Sequence, residues 1–305
     1  MMLLIERISV IGAGAMGATF ACKFFEMDKN CISLVARGER YDLLKDKGLI
    51  VNNKHYSLPV IRPEHKPPHA DLIIVAVKHH HLQDAIQDIE GLIGDNTLVL
   101  SVMNGIDSEE RIGNAYGMGR VLYTVVIDID AVKEGNRIIY TRPGKVFFGE
   151  AENHKISERV KGVQSLFDRA GIAYETPDDM IRILWWKFMI NAGINQVSAI
   201  LGAPYGVFQT VQEAREVMES AMREVMAIAG AAKVHLYEAD LENWYSVLSG
   251  LSPQGKTSML QDVEAKRKTE VEMFAGKVIE LGKAYNIPTP INETIFRLIS
   301  VIERY

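Results

Sequence analysis

Three polar side chains, Lys187, Asn191 and Asn195, recur at four-residue spacing inside an otherwise apolar run over 183–201. That spacing places them on one face of a helix. Such groups are costly to bury alone, so two readings follow. The lysine pairs with an acid and the amides satisfy each other, or the stripe lines a site for a small polar ligand. In the second case the lysine suits protonation or polarisation of a carbonyl oxygen as hydride reaches the carbon, with the amides orienting the substrate.

A second chemical signal lies near the start of the chain. Gly12, Ala13, Gly14, Ala15, Met16 and Gly17 follow an apolar β-branched run and open a helical pattern, the setting that a dinucleotide-binding loop requires. The first glycine permits the turn, the second a close approach of pyrophosphate and the third close helix packing, with free N–H groups attracting phosphate. The next strand ends on Arg37, where a carboxylate would select the ribose hydroxyls of NAD. An arginine there points to a 2′-phosphate and hence to NADP(H), although a solvated charge is the plainer reading. Lys78 follows a later strand on the same expected sheet edge, where a solvated lysine is equally in keeping. The run His79, His80, His81 lacks ligand spacing and a following carboxylate, so no metal site is expected. Ser258 begins a capping-box pattern with Gln261, so it either caps a helix or presents that helix start to a carboxylate. Glu270 falls in a charged run that spacing alone reads as a solvated face.

These residues need elements to hold them. Short β-branched runs at 8–11, 31–35, 72–77 and 97–102 alternate with helical patterns such as 13–25, which predicts a doubly wound, Rossmann-like α/β sheet. Strands over 121–129 and 137–148, joined by a turn at Gly135, and a helix over 156–169 should complete that domain. From Pro177 and Asp178 the period becomes helical, with helices expected over 181–201, 211–232, 236–249, 258–285 and 292–304. The division is therefore 1–177, an NADP-binding Rossmann domain, and 178–305, an all-α substrate and dimerisation domain. The opening apolar run over 1–5 has no basic leader or cleavage site, so it reads as a strand.

A formal charge of −5 argues against nucleic acid or anionic membrane as the main partner. The apolar stretch over 183–204 contains Lys187, Asn191, Asn195 and Gln196, a polarity that fits a buried helix and not a membrane span. Cys22 and Cys31 form no metal pattern and no disulfide framework, which fits a reducing, cytoplasmic setting. The long helical half offers surface for a homodimer.

Taken in order, the glycine loop, Lys78, Asn104-Gly105, Trp186-Lys187 with Asn191 and Asn195, Ser258 with Gln261 and Asp262, and Thr269-Glu270 resemble the ketopantoate reductases (2-dehydropantoate 2-reductases). The resemblance spans nearly the whole chain. It implies reduction of 2-dehydropantoate to pantoate by NADPH, with Lys187 as proton donor and Asn191, Asn195 and Ser258 holding the keto acid. It also implies Asn104 near nicotinamide and substrate, Arg37 and Lys78 at the 2′-phosphate end, and Glu270 completing the cleft beside lysine and cofactor. Four positions depart from the family pattern: Met103 for glutamine, Asp107 for glycine, and Tyr205 and Ala275 for asparagine. They leave open a related reductase of another 2-oxo acid. A non-catalytic dinucleotide sensor is the remaining alternative, against which the intact lysine–asparagine stripe weighs.

Overall fold

The computed structural model describes residues 3–65 and 67–305. The chain divides into two compact units, Met1–Ile181 and Arg182–Tyr305.

In the first unit, β1 (Ile8–Ile11) feeds α1 (Ala15–Met27) and β2 (Ile32–Val35) feeds α2 (Gly38–Lys47). Three short strands follow, β3 (Leu49–Val51), β4 (Lys54–Tyr56) and β5 (Val60–Ile61). Next, β6 (Leu72–Val75) leads to α3 (Leu82–Ile89) and β7 (Leu98–Ser101) to α4 (Ser108–Tyr116). The unit ends with β8 (Val121–Ile129), β9 (Val132–Glu134), β10 (Arg137–Ile139), β11 (Pro143–Gly149), α5 (Glu158–Ala170) and β12 (Tyr174–Glu175).

The main sheet has the order β12-β11-β8-β7-β6-β1-β2-β5. It is parallel from β8 to β5, while β11 pairs antiparallel with β8 and β12 runs parallel to β11. β1, β6 and β7 are buried throughout, which is why they read as unbroken apolar runs. Alternate residues serve opposite faces. Val10, Ile74 and Leu100 join Phe20, Phe24 and Phe167 on one side, while Ile11, Ile73 and Val99 join Leu82, Ile89 and Ile112 on the other. Chain order reverses between β1 and β6, so the loops leaving these two strands flank the position where such sheets bind ligands.

Two expectations change here. The strand expected over 137–148 is two strands in different sheets, β10 joining a small sheet of order β4-β3-β10-β9 and β11 the main one. The Asp130 carboxylate takes the N–H groups of Thr141 and Arg142, both at 2.8 Å, and so holds the bend between them. In the opening run, Met1 and Met2 lie outside the described residues and 3–5 form no strand. The backbone there is engaged elsewhere, with Arg169 donating to the Ile5 carbonyl at 2.8 Å.

The second unit is helical. After α6 (Met180–Ile190) come a π-helical turn, Asn191–Asn195, and α7 (Gln196–Leu201), so the long helix expected over 181–201 forms with its middle turn widened. Next are α8 (Tyr205–Thr210), α9 (Gln212–Ala231) and α10 (Glu238–Ser249). The helix expected over 258–285 is broken into α11 (Ser258–Glu264), a second π-helical turn at Glu272–Gly276 and α12 (Lys277–Tyr285), followed by α13 (Pro290–Ile302). The break has a local cause. Lys266 adopts φ 51° and the Arg267 N–H returns to the Asp262 carbonyl at 2.8 Å, a chain reversal that ends α11. Among the described residues no helix is long and apolar enough to cross a membrane.

Candidate functional site

In the first unit the glycine loop lies between β1 and α1 with Gly12 at φ 96°. A Cβ on Gly12 would overlap the Ala76 backbone, and one on Gly17 would overlap the Gly12 carbonyl. Gly14 has more room, 3.8 Å from its hypothetical Cβ to the Ala76 oxygen. The loop is thus pressed against the end of β6 by residues that must be glycine, and Gly14 stands at the N-cap of α1, which has no side-chain cap and no acid in its first turn. Uncapped N–H groups at a helix start beside open backbone suit a phosphate. The residues present fit a dinucleotide.

Arg37 precedes α2 and forms an ion pair with the buried Asp88 of α3. Arg40, one turn into α2, donates from Nη2 to the Ala13 carbonyl at 2.7 Å, and Lys133 of β9 donates from Nζ to the same oxygen at 2.9 Å. Lys78 stands at the end of the β6 loop, just before the 3-10 turn His79–His81. Asn104 follows β7, beside Gly105 at φ 101°. His79 Nδ1 and Asp107 Oδ1 face each other at 3.9 Å.

Behind the Asn104 loop, Ser101 and Ser108 share a hydrogen bond of 2.7 Å, and the Ser108 hydroxyl also lies 2.7 Å from Glu109 Oε2. Burial pushes the Glu109 carboxyl up to about 7. Met103 is packed in the apolar layer with Ile112 and Val121. Among the described residues no three His, Cys, Asp or Glu side chains group as a metal ligand set.

In the second unit Asn191 and Asn195 are buried and open and close the first π-helical turn. The wider turn brings their side chains together, Asn195 Nδ2 donating to Asn191 Oδ1 at 3.3 Å and reaching Ser258 Oγ at 3.5 Å. Lys187 stands one turn earlier on α6. Ser258 is not the helix cap. Thr257 takes that place, its hydroxyl accepting the Leu260 N–H at 3.2 Å and donating to Ser198 at 3.0 Å, so the Ser258 hydroxyl is available to Asn195. Two neighbouring residues with good capping side chains defeat the sequence pattern.

Glu270 is buried, not on a solvated face, and precedes the second π-helical turn. Gln196 joins the two widened turns: its Nε2 donates to the Ala192 carbonyl at 2.6 Å and its Oε1 accepts the Ala275 N–H at 3.0 Å. π-turns leave backbone groups without their usual partner, and Gln196 supplies one. Its role escapes sequence reading because it depends on a residue 79 positions away. Tyr205 starts α8, its N–H donating to the Gly255 carbonyl at 2.9 Å, and so backs the turn that leads to Ser258.

Known proteins match on this scale. The family described as "Ketopantoate reductase PanE/ApbA" matches residues 8–153, and its C-terminal family matches residues 179–303. A 2-dehydropantoate 2-reductase of Aquifex aeolicus is 24% identical, covering 99% of this chain and 98% of its own. One from Archaeoglobus fulgidus is 26% identical over 98% of each. Among solved structures, D-mandelate dehydrogenase with NADH and anilino(oxo)acetate has a TM-score of 0.87 at 23% identity, covering 98% of each chain. At that identity the structural likeness speaks for the fold alone.

Proposed function

The chain belongs to the ketopantoate reductase family, and from that premise we propose that it is a cytoplasmic NADPH-dependent reductase of 2-dehydropantoate, forming pantoate. The observation that carries this reading is the gathering of Asn191 and Asn195, beyond Lys187 on one widened helix, with Ser258 at the start of α11. A keto acid needs polar groups for its carboxylate and hydroxyl and a proton source for its ketone oxygen. This stripe provides both chemistries.

The cofactor, when bound, supplies hydride to the C2 carbonyl carbon. Lys187 donates its Nζ proton to the carbonyl oxygen as negative charge develops there, giving the C2 hydroxyl. Asn191, Asn195 and Ser258 orient the acid, and Glu270 sets the charge balance around the lysine. Gly12 to Gly17 hold the pyrophosphate through backbone N–H groups, Asn104 serves the nicotinamide end, and Arg37 and Lys78 serve the 2′-phosphate end. Both cysteines are free and buried, and burial raises Cys22 to about 12, in keeping with a reducing compartment.

A related reductase of another 2-oxo acid, using NADH, is the second reading. It is favoured by the Arg37–Asp88 ion pair, which gives Arg37 a partner other than phosphate. The test is oxidation of NADPH and of NADH, followed by absorbance, with 2-dehydropantoate and a panel of other 2-oxo acids. NADPH-selective turnover of 2-dehydropantoate supports the first reading, and turnover confined to another acid supports the second. Tight dinucleotide binding with no turnover on any acid would replace both with a sensor.

A further inference from the structure

We propose that His79 and Asp107 are a pair of positioning residues that tie the loop leaving β6 to the loop leaving β7, and so hold Asn104 in place for hydride transfer. The inference deepens the reductase reading and rests on it. It joins two features that the proposed function leaves unused, the histidine run after Lys78 and the aspartate at a position where the sequence departs from the family pattern.

β6 and β7 are parallel neighbours with Val75 opposite Ser101, so their loops leave the sheet side by side at its carboxyl edge. His79 opens the 3-10 turn of the first loop, directly after Lys78, and Asp107 closes the second, three residues beyond Asn104. His79 Nδ1 and Asp107 Oδ1 face each other at 3.9 Å. Both atoms are buried, and neither has a hydrogen-bond partner among the described residues. An aspartate at a helix N-cap ordinarily accepts an N–H of the first turn. Asp107 is the N-cap of α4 and makes no such bond; its Oδ1 faces the imidazole instead.

A carboxylate oxygen buried without a donor is costly, and so is a buried imidazole nitrogen without a partner. One movement removes both costs, since an approach of about 1 Å converts the ion-pair distance into a hydrogen bond from Nδ1–H to Oδ1. Glu109 and Glu110 in the first turn of α4 concentrate negative charge beside Asp107, which favours an imidazole that donates. Gly105, at φ 101° between Asn104 and Asp107, is the reason such a tie is needed, because glycine constrains the backbone least. The Ser101–Ser108 hydrogen bond fastens the base of the loop to its own strand. The His79–Asp107 pair fastens it sideways, to the loop that carries Lys78. Misplacement of a positioning group by about 1 Å costs up to about 100-fold in rate.

The experiment compares kcat, KM and dinucleotide affinity in four variants, using the 2-oxo acid and cofactor that the wild type turns over. Asp107→Gly removes the carboxylate and leaves a residue well tolerated at an N-cap, and His79→Phe removes Nδ1 while keeping a ring. Asp107→Asn retains an acceptor oxygen, and His79→Asn places an amide N–H near the position of Nδ1. Asp107→Gly and His79→Phe should each lower kcat about tenfold, with dinucleotide Kd within about twofold of wild type. Their double variant should be no slower than the slower single one, as for two groups that act through one contact, and the two asparagine variants should recover most of the turnover. Unchanged kcat, additive losses or a loss confined to dinucleotide affinity would overturn the proposal. If His79→Phe does not fold, Asp107→Gly against Asp107→Asn decides. The pair itself is read without substrate, at alkaline pH, from the imidazole nitrogen resonances of His79, assigned by their disappearance in His79→Asn. Nδ1 protonated in the wild type and not in Asp107→Gly supports the tie, and an unprotonated Nδ1 in the wild type overturns it. A wild type without turnover on any 2-oxo acid would remove the reductase reading and the role in hydride transfer, with the nitrogen resonances still deciding the tie.

Discussion

Lys187 carries the most direct expectation at the scale of a single residue. Replacement by alanine removes the proposed proton donor, so kcat should fall about 100-fold or more, while NADPH affinity, which the proposed function assigns to the first unit, should stay the same. Stopped-flow turnover and a binding titration measure the two quantities, and normal turnover in the variant would remove Lys187 from the mechanism. Glu109 makes a different kind of prediction. Its carboxyl is raised from an ordinary 4.5 to about 7 by burial, so the fold favours the protonated form. The stabilisation linked to it is complete below about pH 4.5 and is lost as pH rises through 7. Glu109→Gln keeps the shape without the titration. It should flatten the fall in melting temperature between pH 5 and pH 8 and be more stable than wild type at pH 8, by about 3 kcal/mol at most. Parallel pH profiles for the two proteins would show that Glu109 is not the group responsible.

At the scale of elements, the second unit depends on two widened helical turns and on what packs against them. Gly193 lies at the centre of the Asn191–Asn195 turn, where a Cβ would stand 2.6 Å from Met222 and 3.0 Å from the Met218 carbonyl on α9. Gly193→Ala should therefore cost about 1–3 kcal/mol through overpacking, and it should raise KM more than it disturbs NADPH binding, because Asn191 and Asn195 ride on that turn. Denaturant unfolding and steady-state kinetics check both halves. The junction between α6 and α10 rests on an ion pair, with Arg182 Nη2 donating to both oxygens of the buried Asp240 at 2.7 and 2.9 Å. Asp240 also accepts the Tyr237 N–H at 2.7 Å, closing the start of α10. Arg182→Met strands the carboxylate and should destabilise by about 3–5 kcal/mol; adding Asp240→Asn should recover part of the loss, and no recovery would mean that lost packing dominates.

For the whole molecule, two compact units make a single unfolding transition an assumption to be tested. NADPH at a hundredfold excess over its Kd should stabilise the unit that binds it by about 2.7 kcal/mol. Differential scanning calorimetry should show the transition of the first unit moving up by several degrees, and no shift with either dinucleotide would speak against a cofactor role for the glycine loop. Much of this organisation was legible in the sequence. The glycine loop announces itself because tight turns and close backbone approach admit no side chain at Gly12 and Gly17, and that is a local requirement. The buried parallel strands are legible because burial on both faces leaves apolar runs, and the stripe of Lys187, Asn191 and Asn195 because helical period is local as well. What the sequence by itself determined was therefore the sheet class, the change to helices and the polar stripe. Only the tertiary structure decided that Thr257 and not Ser258 caps α11, that Glu270 is buried, that Arg37 meets Asp88 and that Lys133 reaches Ala13. Each of these depends on which of several competent neighbours wins a partner distant in the chain, and spacing along a sequence carries no information about that competition.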